Sequence, residues 1–315
     1  MASMSADHIA SVSLKDAHLN PDEFAQELGQ SFEDYGFAII ADHAIPGALI
    51  EAAEEKSKSF FALPDEIKAK YRVQGGGGAR GYTPFGIETA KGANAYDLKE
   101  FWHVGRDLPE GHEFRDHMPP NLWPAEVPGF KDTFQELYAN FDRTGLTILK
   151  AIARYLKIEE DFFEDAVRDG NSVLRALHYP AQPEPTGNHI RAGAHEDINA
   201  ITLLLGADEA GLELLTKDGR WIPVSPKPGE LVINIGDMLQ RLTNGVLRST
   251  SHRVVNPTPD RASHARYSMP FFLHFRSDFL IEALPGTVLS GEQAKWPAIT
   301  ANDYLQERLR EIKLV

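Results

Sequence analysis

Apolar residues recur three and four apart through the first half of the chain, the spacing of one helical face. Phe24, Leu28, Phe32 and Tyr35 follow it behind Asn20-Pro21-Asp22-Glu23, which has the grammar of a helix start. Asn is the N-cap, Pro lies in the first turn, and Glu stands three residues after the cap. Gly36 stops that helix, and Phe37-Ala38-Ile39-Ile40 predicts a short buried strand. Behind Pro46, Leu49, Ile50, Ala53, Phe60 and Phe61 make the inner face of a second helix. One long amphipathic pattern then runs from Phe130 to Leu156, a scaffold helix laid against a sheet, with Gly145 as the place where it would break.

After Asn171 the period shortens. Strands are predicted at Val173–Tyr179, Ile198–Leu205, Leu212–Leu215, Arg220–Val224, Leu231–Ile235, Val246–Val255 and Arg266–Phe275, with Asp218-Gly219 as a two-residue hairpin turn. Strands this closely spaced predict a sandwich or a double-sheet barrel, with the helical N-terminal part packed on it. The expected division is a loose lead-in over 1–18, helices and short strands over 19–128, scaffold helices over 129–170, a β core over 171–290 and a C-terminal helix over 291–315. Gly75-Gly76-Gly77-Gly78 is followed by no Gly-Lys-Ser/Thr, so it reads as a surface loop and not a phosphate cradle.

Composition narrows the chemistry. Hydrophobic residues make up 42% and charged residues 25%, ordinary for a globular protein that needs no staples. The absence of cysteine removes disulfides, iron–sulfur clusters, thiolate zinc sites and a cysteine nucleophile, and fits a cytoplasmic protein. A net charge of −14 argues against nucleic acid or an anionic membrane as partner. An anionic small molecule would need a local Arg or Lys. No apolar run approaches a membrane span, no signal peptide is expected, and a monomer is the expected state.

Three segments can carry chemistry. In Ala194-His195-Glu196-Asp197, a strand would turn His195 and Asp197 to one side and Glu196 to the other. Ser251-His252-Arg253 supplies a second imidazole. Two imidazoles and a carboxylate on one face of a metal leave positions open for other ligands, the facial triad of non-haem Fe(II) oxygenases. Against this, His-x-Asp pairs are common by chance, and the chain has 12 His. In Arg266 to Phe275, Arg266, Ser268, Pro270, Phe272 and His274 share a face, opposite Tyr267, Met269, Phe271, Leu273 and Phe275. A buried Arg266 needs an anion, either a ligand carboxylate held with Ser268 or an internal Asp or Glu. Asp237 and Asn244-Gly245 read as turn residues, and Arg253 as a structural tie to an acidic neighbour.

The order His195-x-Asp197, His252, Arg266-x-Ser268 resembles the 2-oxoglutarate/Fe(II)-dependent dioxygenases of the isopenicillin N synthase-like branch. The likeness extends to Leu177-His178-Tyr179-Pro180, Leu231 to Asp237, Leu242 to Gly245 and Ser251 to Val254. In the first half, Tyr35-Gly36-Phe37, Phe60 to Pro64 and Arg80-Gly81-Tyr82 are similar to that family's N-terminal domain. The resemblance implies a double-stranded β-helix (jelly-roll) core. It implies Fe(II) on His195, Asp197 and His252. Arg266 and Ser268 would hold the distal carboxylate of 2-oxoglutarate, with Tyr179 as helper, and Phe272 and His274 would face the primary substrate. Asn199 and Leu177 receive no role. The implied reaction consumes O2 and 2-oxoglutarate, releases succinate and CO2, and hydroxylates, desaturates or cyclises a small molecule. An isopenicillin N synthase-like oxidase working without 2-oxoglutarate is the alternative within the branch. Outside it stand a zinc hydrolase, which lacks a duty for Arg266-x-Ser268, and a metal- or ligand-binding barrel without catalysis.

Overall fold

The computed structural model describes residues 9–73, 79–87, 96–182, 190–205 and 211–311. The chain enters on β1 (Ser11–Ser13) and α1 (Asp16–Leu19), followed by α2 (Pro21–Tyr35), β2 (Phe37–Ala41), α3 (Gly47–Phe61) and α4 (Asp65–Lys68). β3 (Gly81–Thr83) and β4 (Glu100–Gly105) precede α5 (Phe130–Tyr155) and α6 (Phe162–Val167). Then come β5 (Val173–Tyr179), β6 (Ala192–His195), β7 (Ile201–Leu205), β8 (Leu212–Leu215), β9 (Trp221–Pro223) and β10 (Leu231–Ile235). α7 (Asp237–Leu242), β11 (His252–Val254), β12 (Arg266–Leu273), β13 (Leu280–Ile281), β14 (Ile299–Thr300) and α8 (Ala301–Glu311) complete it.

Eight strands form one sheet in the order β1-β2-β10-β7-β12-β5-β4-β3, and four form a second in the order β6-β11-β8-β9. Alternation along each strand gives the large sheet two working faces. One is covered by α2, α3 and α5: Phe271 of β12 stacks on Phe141 at 5.4 Å and takes Tyr138 edge-on at 4.9 Å. The other faces the small sheet, where Phe37, Ile39, Phe101, Leu177, Val232, Leu214, Ile222 and Val254 share one apolar cluster. This is a jelly-roll core with a helical N-terminal part packed on its outer face. Among the described residues no helix is long and apolar enough to cross a membrane.

Several elements differ from their sequence-based outlines. Residues 9–18 are not a loose lead-in: Ile9 and Val12 are buried, and β1 pairs in parallel with β2, Ser11 beside Ile39. α2 begins and ends as predicted, with Gly36 at φ 70° closing it, but the Asn20 side chain caps nothing and reaches Asp16 instead. α5 runs unbroken through Gly145. A Cβ there would lie 2.3 Å from Leu273 Cδ1, so the glycine allows the helix to sit on β12. The hairpin between β8 and β9 uses three residues between Thr216 and Arg220, not two, closed by Thr216 N–H donating to the Arg220 carbonyl at 2.9 Å. The predicted strand Val246–Val255 shrinks to His252–Val254. Gly75 to Gly78 lie outside the described residues.

Candidate active site

β6 ends at His195, and β11 begins at His252. The two residues are directly paired across the antiparallel strands, bringing their ring centroids to 4.4 Å. Asp197 is not on the strand with His195, as expected from period two, but in the irregular segment that follows. Its position is set from the opposite sheet. Thr202 Oγ1 of β7 donates to Asp197 Oδ2 at 2.5 Å, and Asn234 Nδ2 of β10 donates to the same oxygen at 2.7 Å. Glu196 is exposed and turns away, as predicted.

These bonds leave one atom of each residue aimed at a common point. His195 Nδ1 bonds the Gly193 carbonyl at 2.7 Å and His252 Nδ1 the Thr250 carbonyl at 3.1 Å, which assigns the lone pairs to Nε2. Those Nε2 atoms lie 3.8 and 3.9 Å from Asp197 Oδ1, and the three potential ligand atoms fall within 4.8 Å of one another. Burial and the neighbouring His252 push His195 down to about 4, so it is a neutral imidazole at physiological pH. Burial alone would raise Asp197. The two imidazoles and the bonds from Asn234 and Thr202 outweigh it and hold the carboxyl below its ordinary range. Two imidazole nitrogens and one carboxylate oxygen, each oriented through its second polar atom, fit a hard-to-borderline divalent metal with sites left open.

One strand over, Arg266 and Ser268 point inward, buried to 4% and 5% exposure, with Arg266 Nη1 donating to Ser268 Oγ at 3.2 Å. Arg266 pairs with Tyr179 of β5, and its guanidinium stands 5.2 Å from the centre of that ring. Arg266, Ser268 and Tyr179 are thus brought together as expected. Phe272 also keeps its place on this face, half-buried. His274 does not. β12 ends at Leu273, the alternation stops there, and His274 lines a separate recess with Asn171, Met238, Ala301 and Leu305, where burial pushes it down to about 4.

Sequence reasoning passed over several residues. Asn199, given no role, is fully buried and donates to Thr202 Oγ1 at 3.0 Å, orienting the hydroxyl that holds Asp197. Asp97 Oδ1 accepts from the Gly193 N–H at 2.9 Å and pairs with buried Lys99, steadying the strand that carries His195. Arg175 lies on the interior face of β5 with Leu177 and Tyr179. Asn234 and Arg175 carried a signal: each is a polar residue inside an apolar strand, the same reasoning that singled out Arg266. Thr202 carried none. Asp237 opens α7 and accepts from Tyr304 at 3.0 Å, rather than making a turn. Asn244 and Gly245, at φ 52° and 80°, do make one, and Arg253 meets Glu213 at 2.7 Å.

Two family profiles match the chain. The non-haem dioxygenase N-terminal profile, described for morphine synthesis, covers residues 9–126, and the 2OG-Fe(II) oxygenase superfamily profile covers residues 170–275. A 2-oxoglutarate-Fe(II) type oxidoreductase of Emericella nidulans is 34% identical over 90% of this chain and 83% of its own length. The chain belongs to the 2-oxoglutarate/iron(II)-dependent oxygenases. Solved structures agree with that assignment. A 2OG-Fe(II) oxygenase family protein from Caulobacter crescentus is 58% identical, with a TM-score of 0.90 over 96% of this chain and 99% of that one. A full-length Neurospora crassa protein, solved in complex with alpha-KG, is 30% identical, with a TM-score of 0.86 over 96% and 95%. As a member of these oxygenases, the protein is an iron(II)- and 2-oxoglutarate-dependent dioxygenase acting on a small molecule.

Proposed function

We propose that His195, Asp197 and His252 hold the iron(II), that Arg266 and Ser268 bind the distal carboxylate of 2-oxoglutarate over the Tyr179 ring, and that Phe272 borders the primary substrate. One observation carries this reading: each of the three convergent atoms belongs to a group whose other polar atom is already engaged, so only Nε2, Nε2 and Oδ1 remain for a metal. When bound, the iron and 2-oxoglutarate supply oxidative decarboxylation to succinate and CO2, coupled to hydroxylation, desaturation or ring closure of the substrate. The protein's own part is placement. Arg266, buried and charged, would hold one end of a dicarboxylate through its planar fork in a site largely closed to solvent. Thr202 and Asn234 hold Asp197 by its Oδ2, which would leave Oδ1 turned toward the metal. Phe101, Leu177 and Val232 belong to the apolar cluster between the two sheets, which would help to keep solvent from the reacting groups. The working form is a cytoplasmic monomer without nucleic-acid or membrane partners; the net charge of −14 supports the last two points and the absence of cysteine fits the first.

The test is an anaerobic titration of 2-oxoglutarate into the Fe(II)-loaded protein, followed by visible absorption. A saturable iron-to-keto-acid charge-transfer band is expected. In Arg266→Ala the same band should need about 10–100-fold more 2-oxoglutarate, since a charge-assisted bond to a buried carboxylate is lost. Unchanged affinity in that variant would assign Arg266 to an internal ion pair.

A further inference from the structure

We infer that Asp237 and Tyr304 are positioning residues for Asp197, and that docking of the C-terminal helix α8 is thereby coupled to metal binding; the inference rests on the metal assignment above. The Asp197 side chain is held through Oδ2, but its backbone has no strand to hold it. β6 ends at His195, β7 begins at Ile201, and the segment between them is irregular. Its carbonyls are bonded instead by three consecutive amides. Asp237 N–H donates to the Asp197 carbonyl at 2.7 Å, Met238 N–H to that of Asn199 at 3.0 Å, and Gly236 N–H to that of Ala200 at 2.9 Å. The approach is close. A Cβ on Gly236 would lie 2.2 Å from the Asn199 carbonyl oxygen, so a side chain there would force the two segments apart. The place of Asp197 is therefore set by where the start of α7 sits.

The second observation is what holds the start of α7. A helix of six residues does not hold itself, because nucleation is unfavourable and so short a segment does not repay it. Met238, Leu239 and Leu242 bury one side of it, but hydrophobic burial is non-directional. The directional ties run to the C-terminal segment. Tyr304 of α8 donates its hydroxyl to Asp237 Oδ2 at 3.0 Å, and Arg308, one turn on, brings Nε to 3.8 Å from the same oxygen. Arg241, one turn along α7 from Asp237, stands 4.9 Å from the centre of the Tyr304 ring and donates to the Pro297 carbonyl at 2.9 Å. The start of α8 is pinned in turn, with the Ala301 and Asn302 amides donating to the Phe279 and Ser277 carbonyls at 2.9 and 3.0 Å. Asp237 and Tyr304 are both buried, so water does not replace their bond freely. Asp237 thus works in two directions. Its carboxylate takes the hydroxyl of α8, and its amide gives to the residue that carries the metal carboxylate. Coupling of this kind is reciprocal: whatever loosens α8 weakens metal binding, and bound metal tightens α8.

The test is a titration of Co(II) into the full-length protein, read by visible absorption, with hydrogen exchange of α8 followed in the presence and absence of the ion. Tyr304→Phe removes only the hydroxyl. The Co(II) dissociation constant should rise about 3–10-fold, the share of one buried hydrogen bond passed on to the metal. Tyr155→Phe is the control for lost stability: it removes a comparable bond, to Glu33 at 2.8 Å between α5 and α2, and should leave Co(II) affinity as it was. Asp237→Asn keeps an oxygen for Tyr304 and should bind Co(II) more tightly than Asp237→Ala. Co(II) should also slow exchange in α8 of the wild-type protein, and slow it less in Tyr304→Phe. A Tyr304→Phe affinity no weaker than that of Tyr155→Phe, or exchange in α8 indifferent to Co(II), would overturn the inference. Co(II) binding unchanged in Asp197→Ala would bring down the metal assignment and the inference with it. Binding weakened in Asp197→Ala yet unchanged in Tyr304→Phe would count against the inference alone.

Discussion

Asp197 is buried, and its Oδ2 takes two hydrogen bonds, from Thr202 and Asn234. Replacing the hydroxyl with a methyl in Thr202→Val keeps the shape and removes one of those donors. The carboxylate then has freedom to rotate, and metal affinity should fall about 10–100-fold while the fold persists. Fe(II) or Co(II) titration alongside circular dichroism would measure both; an affinity equal to wild type would mean that Asn234 alone sets the rotamer. The same residues mark what could be read in the sequence. His195, Asp197, His252, Arg266 and Ser268 announce themselves by type and order. Thr202 and Asn199 do not, because they act through the irregular turn that leads from Asp197 into β7, whose shape no periodicity predicts. His274 misled for a related reason: period two is informative only while the strand lasts, and β12 ends one residue earlier.

Elements were legible where local pattern and tertiary need agreed. Val173–Tyr179, Leu212–Leu215 and Leu231–Ile235 are found at the predicted bounds, since each is a run of apolar residues closed by turn signals. Where the chain is irregular yet buried, as before His252, apolar pattern overstates strand. Gly145 shows the opposite error. Glycine weakens a helix by about 1 kcal/mol relative to alanine, so a break was the local expectation. The reason for the residue lies on another element, in Leu273 of β12 and Leu203 of β7, both fully buried against it. Gly145→Ala gains helix propensity but overpacks that contact, and a net loss of about 1–2 kcal/mol is expected by urea unfolding. A more stable variant would show that Leu273 can swing aside without cost.

At the scale of the whole molecule, Glu100 joins the helical part to the catalytic sheet. Its carboxylate meets Lys68 of α4 at 2.9 Å, Tyr82 of β3 at 2.5 Å and His178 of β5 at 2.7 Å, and it is 5% exposed. Burial raises its pKa, but the bonds from His178, Tyr82 and Lys68 outweigh that and bring it below the ordinary value of 4.5. A carboxyl depressed in the folded state contributes stability that is complete above its unfolded pKa and lost as pH falls through the folded one. Glu100→Gln leaves the buried Lys68 with the exposed Asp65 and the Phe61 carbonyl but without its buried carboxylate, and should cost about 3 kcal/mol at pH 7. That gap should narrow on acidification below 4.5. A gap constant down to about pH 3 would mean that Glu100 acts by shape alone. The metal set has a comparable reach across layers: the two imidazoles belong to the four-stranded sheet, while the carboxylate is tethered to the eight-stranded one. An ion bound there is a rivet through both walls of the barrel. At a free concentration about a hundred times its dissociation constant it would add about 2.7 kcal/mol against unfolding. Iron supply would then govern how long the protein lasts in the cell as well as how fast it works, and a starved cell would lose the oxygenase by turnover instead of storing it idle.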